Sequence, residues 1–186
     1  PMTSETIYTA ISFAPVQGFI EKSRKLRDLY GASQILSYLS ERLIAYAKAS
    51  NFEVISPGLL SVKEGMPNRI LLMGNQALNR DELKKILIDE WGKILDRCRT
   101  WVEQQLNEYS YTWSQTEDDR NIHKGEWELE WERWKSYAWE VFWGYGARVK
   151  DAMEDLETRK LKRDWIGINW TGESSSLSGS DAIAWH

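Results

Sequence analysis

The spacing of hydrophobic residues changes several times along this chain, and each change predicts an element. Residues 6–13, TIYTAISF, alternate β-branched and aromatic side chains with smaller ones, the two-residue period of a strand. Pro15 ends it. From Val16 the spacing lengthens: Val16, Phe19, Ile20, Leu26, Leu29, Tyr30, Leu36, Leu39, Leu43 and Tyr46 follow three- and four-residue steps, which predicts a long helical stretch with a kink or short break at Gly31. Residues 52–56, FEVIS, and 69–73, RILLM, predict two strands. Pro57, Gly58, Gly65 and Pro67 punctuate the connection, as in a hairpin with a long loop. Asn79 then caps a helix, with Glu82 three positions on completing a capping box. Leu83, Leu87, Trp91, Leu95, Cys98, Trp101 and Val102 share one face of it, which makes Cys98 a small core residue rather than a nucleophile.

Beyond residue 108 the pattern is less regular. TEDDRN reads as a polar loop. GEWELEWERW has the alternation of a strand, yet Trp127, Trp131, Trp134 and Ala138 keep helical spacing and β-branched residues are missing, so a helix is expected. A second helical stretch, roughly 145–160, follows the glycines of WGYG. Strand, helix, strand, strand, helix is most of a split βαβ unit. The expected class is α+β, an incomplete ferredoxin-like βαββα core with a helical, Trp-rich extension.

Composition narrows the chemistry. The 186 residues hold 24 bases and 28 acids, a formal charge of −4, which argues against a strongly basic nucleic-acid binder. A single cysteine excludes an internal disulfide and a cysteine-based zinc site, and suits a reducing compartment. His123 and His186 are too few and too far apart for a histidine metal centre. Without a signal-peptide pattern or an apolar run near the ~20 residues of a membrane span, a soluble cytoplasmic protein is expected, with no membrane partner. Pro1 before Met2 looks like the remnant of tag removal, and the Gly- and Ser-rich end suggests a chain cut short of the rest of its protein.

The charge is unevenly spread. Residues 20–50 carry six bases (Lys22, Arg24, Lys25, Arg27, Arg42, Lys48) against three acids (Glu21, Asp28, Glu41), a local sum of +3. Residues 117–140 carry eight acids and four bases, a local sum of −4. Arg159, Lys160, Lys162 and Arg163 form a second basic cluster. Each cluster also reads simply as a solvated helix face. All 11 tryptophans lie beyond residue 90. Acids interleaved at 126–132 would repel phosphates, so Trp127, Trp131 and Trp134 read as core or protein interface rather than as stacking platforms for bases.

Residues 13–44 read FAPVQGFIEKSRKLRDLYGASQILSYLSERLI. Arg24 and Asp28 are four apart and can pair along a helix, while Arg24 and Arg27 can project together towards a phosphate, a carboxylate or a partner. An exposed, partly paired helix has the same composition. The succession Pro15, Val16, Gln17, Phe19, Ile20, Arg24, Lys25, Arg27, Asp28, Leu29, Gly31, Ser33, Leu36, Ser37, Tyr38, Leu39 closely resembles the opening of the palm domain in the large subunit of type III-B CRISPR effector complexes, the Cmr complex of the Cas ten family. MPNRILLM, with Pro67, Asn68 and Arg69, and RDWIGINWTGESSSLSGSDAIAW agree with it; the Trp-rich middle does not.

The resemblance implies a palm- or cyclase-like core in an RNA-guided antiviral complex. In many members two facing palms convert ATP to cyclic oligoadenylate with a Gly-Gly-Asp-Asp turn on the second palm, and some carry a His-Asp nuclease domain. Palm chemistry needs clustered carboxylates for two divalent cations. Here Ser12 and Phe13 end the first strand, Glu64 is the only acid of the hairpin, and neither a Gly-Gly-Asp-Asp turn nor a His-Asp pair occurs. The resemblance therefore implies the non-catalytic first palm: residues 1–107 a degenerate palm, 108–162 a helical Trp-rich insertion or extension, 163–186 a Gly/Ser-rich segment. It implies no catalytic residue, metal or cofactor in this chain, with ATP and a divalent metal belonging to the full subunit. Ser12, Phe13, Ala14 and Gln17 are the expected nucleotide wall, at a helix start whose free amides favour phosphate. Arg24, Arg27, Asp28, Asn68 and Arg69 are expected to contact a partner or phosphate. Partners would be other Cmr subunits and, through them, CRISPR RNA and target RNA. The competing reading is a stand-alone helical adaptor binding a protein through its Trp-rich surface.

Overall fold

The computed structural model describes residues 5–23, 25–58, 68–108 and 117–162, the side chains of 106–124 excepted. The elements are β1 (Ile7–Ala14), α1 (Val16–Glu21), α2 (Leu26–Ala49), β2 (Glu53–Ser56), β3 (Arg69–Gly74), α3 (Arg80–Glu108), α4 (Glu117–Tyr137), β4 (Glu140–Gly146) and α5 (Val149–Leu161). The chain is α+β. Among the described residues four strands form one antiparallel sheet in the order β2-β3-β1-β4. Two compact units divide it: the described residues up to Glu90 with those from Trp139 on, and the described residues within Trp91–Ala138.

In the sheet unit, β1 is central because both faces of its sequence are apolar. Ile11 and Phe13 are fully buried on one face and Ala10 on the other. Ala10, Phe142, Ala152 and Leu156 form a core between sheet and α5, with Tyr8, Ala14, Leu71 and Met153 around it. The opposite face buries Ile70, Leu72 and Val141, and α2 contributes Leu36, Leu39, Leu43 and Ile44 to the unit's core. Gly144 lets α5 approach closely: a Cβ there would lie 2.2 Å from the Leu156 amide nitrogen. β2 shifts register between Val54 and Ser56, which leaves Ile55 exposed.

Local signals set the helix ends. α2 stops where Asn51 takes a left-handed φ of 63°, its N–H bonding the Lys48 carbonyl while the Phe52 N–H reaches Ala47. This is the paired C-terminal closure that satisfies two orphan carbonyls, and it turns Phe52 into the core. Asn79 caps α3 as expected, its Oδ1 accepting the Asp81 N–H at 2.9 Å. Glu82 does not fold back to complete a box; its carboxylate accepts the Tyr46 hydroxyl on α2.

Four expectations are corrected. The helical break falls between α1 and α2, before Gly31, which lies inside α2 with nothing within 4 Å of an added Cβ. TEDDRN is helical from Glu117 on. Cys98 and Trp101 are exposed although they share the face of Leu83 and Leu87, because periodicity fixes a direction and not what lies opposite. Finally, residues 140–146 are a strand, so the stretch 108–162 is not wholly a helical extension: β4 pairs with β1 from Tyr8↔Gly146 to Ala14↔Glu140, and α5 begins at Val149.

In the second unit, α4 is held to α3 by its tryptophans and by ion pairs. Trp127 is buried, donates Nε1–H to Glu103 at 2.8 Å and stands edge-on to Trp131. Trp91 donates to the Trp134 carbonyl at 2.8 Å, and Lys135 pairs with Asp96. Trp127 and Trp131 thus pack together within the unit and Trp134 is half-buried, while Trp101, Leu129 and Tyr137 are exposed.

Candidate functional site

Several of the expected residues meet at one end of the sheet. Ser12 lies directly between Arg69 on β3 and Phe142 on β4, and Ala14 opposite Glu140. Paired residues share a face, so Ser12, Ala14, Arg69 and Glu140 all stand on the α5 side. Ser12 is 1% exposed and its hydroxyl has no hydrogen-bond partner among the described residues; one buried carboxylate oxygen of Glu140 is equally unpartnered there. Asn68 donates from Nδ2 to the Phe13 carbonyl at 3.3 Å, fastening the start of β3 to the end of β1.

From α5, Glu157 accepts the Arg69 guanidinium at 2.7 Å and stands 3.8 Å from Lys160 Nζ. Burial, and secondarily the Arg69 charge, hold the Lys160 ammonium below its ordinary 10.5, against the pull of Glu157. Two carboxylates and two cations leave this end close to neutral. Its donors are a hydroxyl, an amide and two cationic groups, and among the described residues no group of three or more His, Cys, Asp or Glu side chains could hold a metal.

Phe13 points to the other face, fully buried, with Trp139 edge-on to it at 5.6 Å. Trp139 also packs on Phe19 at 5.1 Å, which fixes α1 to the sheet. Gln17 is exposed on α1 and donates Nε2–H to Glu21 at 2.7 Å. α1 spans only six residues and has no side-chain cap, so its dipole is small compared with that of a full helix. Arg27 and Asp28 occupy the first turns of α2, 3.6 Å apart, with the Arg27 side chain 81% exposed. Arg24 lies outside the described residues, as do Glu64, Pro67 and residues 163–186.

The fold therefore assembles Ser12, Phe13, Ala14, Asn68 and Arg69 and leaves Gln17, Arg27 and Asp28 on α1 and α2. Sequence reasoning missed Trp139, Glu140, Glu157 and Lys160. The aromatic run Val141-Phe142-Trp143-Gly144-Tyr145 has strand character, but its glycines read as a break between helices when their partner helix is unknown.

Residues 8–62 match the family model described as CRISPR-associated protein Cmr2, N-terminal. This segment is similar to the Cmr2 N-terminal family. The match takes in β1, the Ser12–Gln17 turn, α1, α2 and β2, and so covers the stretch 13–44 on which the resemblance to the type III-B large subunit rests. The other two stretches, 66–73 and 163–185, lie beyond the Cmr2 match. No curated protein matches the chain. Among the described residues no helix is long and apolar enough to cross a membrane.

Proposed function

We propose that this chain forms the first, non-catalytic palm of a type III-B CRISPR effector large subunit. It acts as a scaffold in an RNA-guided antiviral complex and supplies one wall of the nucleotide pocket used for cyclic oligoadenylate synthesis. One observation carries the reading: a βαββαβ succession with strand order β2-β3-β1-β4, the arrangement of ferredoxin-like palms, in a chain whose residues 8–62 match the Cmr2 N-terminal model. The strand missing from the sequence-based core is β4, which makes the βαββ order a full split βαβ pair.

In this reading the turn between β1 and α1 meets ATP through Gln17 and the backbone around Ala14. Ser12 and Phe13, both buried, hold that turn in place rather than touching the ligand. The described donor set does not fit a two-metal centre, so no step is assigned through a metal here; the cations and the reacting carboxylates belong to the facing palm.

The test uses the full subunit within its assembled complex, incubated with ATP and target RNA. Gln17→Ala is expected to lower cyclic oligoadenylate formation at least tenfold through a raised KM for ATP. Ser12→Ala, which removes an unpartnered hydroxyl, is expected to change it less than threefold. Unchanged synthesis with Gln17→Ala counts against the wall.

A further inference from the structure

We propose that the junction of α1 and α2 is a protein-docking surface, on which Leu26, Leu29 and Tyr30 seat an apolar groove with an acidic rim on another subunit of the Cmr complex. The proposal rests on the reading of this chain as an effector subunit and adds where that subunit is held. Leu26, Leu29 and Tyr30 follow i, i+3, i+4 spacing and so share one face of α2. They are 83%, 41% and 63% exposed. Leu29, Leu36 and Leu43 are seven residues apart. The first turns therefore prolong the stripe that is buried at Leu36 and Leu43, beyond the point where the described residues cover it. The preceding α1 has no buried residue, and its Val16 and Ile20 are only half-buried.

Charge and chemistry select the occupant. Lys25 and Arg27 are exposed beside the apolar trio, with Asp28 3.6 Å from Arg27, and residues 20–30 carry four bases against two acids in a chain of −4. An anionic partner is favoured. Leu26 and Leu29 offer neither hydrogen bonds nor planar stacking to a nucleic acid, whereas an apolar protein groove gains by burying them, and Tyr30 suits the edge of such a groove with its ring buried and its hydroxyl towards solvent. The pattern is that of a helix face laid into a groove, with i, i+3 and i+4 anchors and a charged border.

The experiment titrates the chain against the remaining subunits of its Cmr complex, purified together without it and loaded with CRISPR RNA. Two double variants are compared with wild type, Leu26→Gln with Tyr30→Gln and Lys25→Glu with Arg27→Glu. All four side chains are exposed, so melting temperatures are expected to stay within two degrees. Each pair is expected to weaken binding at least tenfold; if one pair lowers the melting temperature, the other decides. Wild-type affinity in both variants overturns the surface while leaving the subunit reading intact. Failure of the wild-type chain to bind at all overturns both. Loss of wild-type binding when the CRISPR RNA is digested identifies a nucleic-acid contact, and self-association of the chain that disappears in the variants identifies a second copy; either overturns the proposal.

Discussion

Trp139 stands edge-on against Phe13, ring centroids 5.6 Å apart at 81°, and leans on Phe19 at 5.1 Å. One indole thus joins the end of β1, the following short helix and the start of β4. It is 5% exposed, so truncation leaves a large void under α1. Trp139→Ala is expected to cost about 3–5 kcal/mol in urea unfolding, and Trp139→Phe clearly less, since a smaller ring keeps part of both contacts. Equal stability of Trp139→Ala and wild type would mean that α1 is held by something else.

Two glycines give opposite expectations. At Gly144 an added Cβ would sit 2.2 Å from the Leu156 amide nitrogen and 2.5 Å from the Ala152 carbonyl oxygen, both backbone atoms that cannot swing away. Gly144→Ala must push α5 off the sheet, and is expected to lose about 1–3 kcal/mol or more. Gly31 sits within α2 in open space. Gly31→Ala is expected to gain about 0.5–1 kcal/mol through helix propensity and a less free unfolded chain. Thermal melts of the two variants against wild type check both signs.

The same glycines explain what could be read in advance. β1, β2, β3 and the capped start of α3 were legible because their signals are local: alternation, proline punctuation, and Asn79 before an apolar stripe. β4 was not, since Gly144 and Gly146 make sense only beside α5, which packs on them from a later part of the chain. Cys98 failed for a related reason: its helical phase matches Leu83, but exposure depends on what faces it. At the candidate site, Ser12 and Arg69 were singled out by resemblance, and their meeting follows from strand register. Glu157 and Lys160, on a helix whose packing was unknown, carried no signal of their own beyond belonging to a basic cluster.

Between α2 and α3, Tyr38 donates its hydroxyl to Glu90 at 2.6 Å, with Arg42 Nε 3.9 Å from the same carboxylate oxygen. The hydrogen bond to Glu90, then burial, raises the Tyr38 phenol above its ordinary 10.0. The folded state therefore holds this proton more tightly than the unfolded chain. Its contribution is complete below pH 10 and is lost as pH rises from there through the folded value. Tyr38→Phe is expected to cost about 1–3 kcal/mol at pH 8, because Glu90 is buried and loses a donor. Above pH 10 the gap between variant and wild type should narrow as the wild type gives up the same bond. Urea unfolding at pH 8, 10 and 11 measures it, and a gap constant across that range would refute the assignment.

The Arg69–Glu157 pair at 2.7 Å separates stability from ligand contact at the end of the sheet. Its two side chains are 53% and 47% exposed, so solvent screens the attraction, and Glu157→Gln is expected to cost less than about 1 kcal/mol. The same substitution removes the carboxylate that neutralises Arg69 and stands near Lys160, leaving this end of the sheet one charge more positive. If this end of the sheet faces phosphate, Glu157→Gln should tighten binding of ATP or of inorganic phosphate by the full subunit severalfold, and Arg69→Ala should weaken it by a comparable factor, both at nearly unchanged melting temperature. Calorimetric titration at low and moderate salt tests this, since an added cation must also steepen the salt dependence. Identical titrations for all three proteins would leave Arg69 and Glu157 with only the structural task of tying β3 to α5.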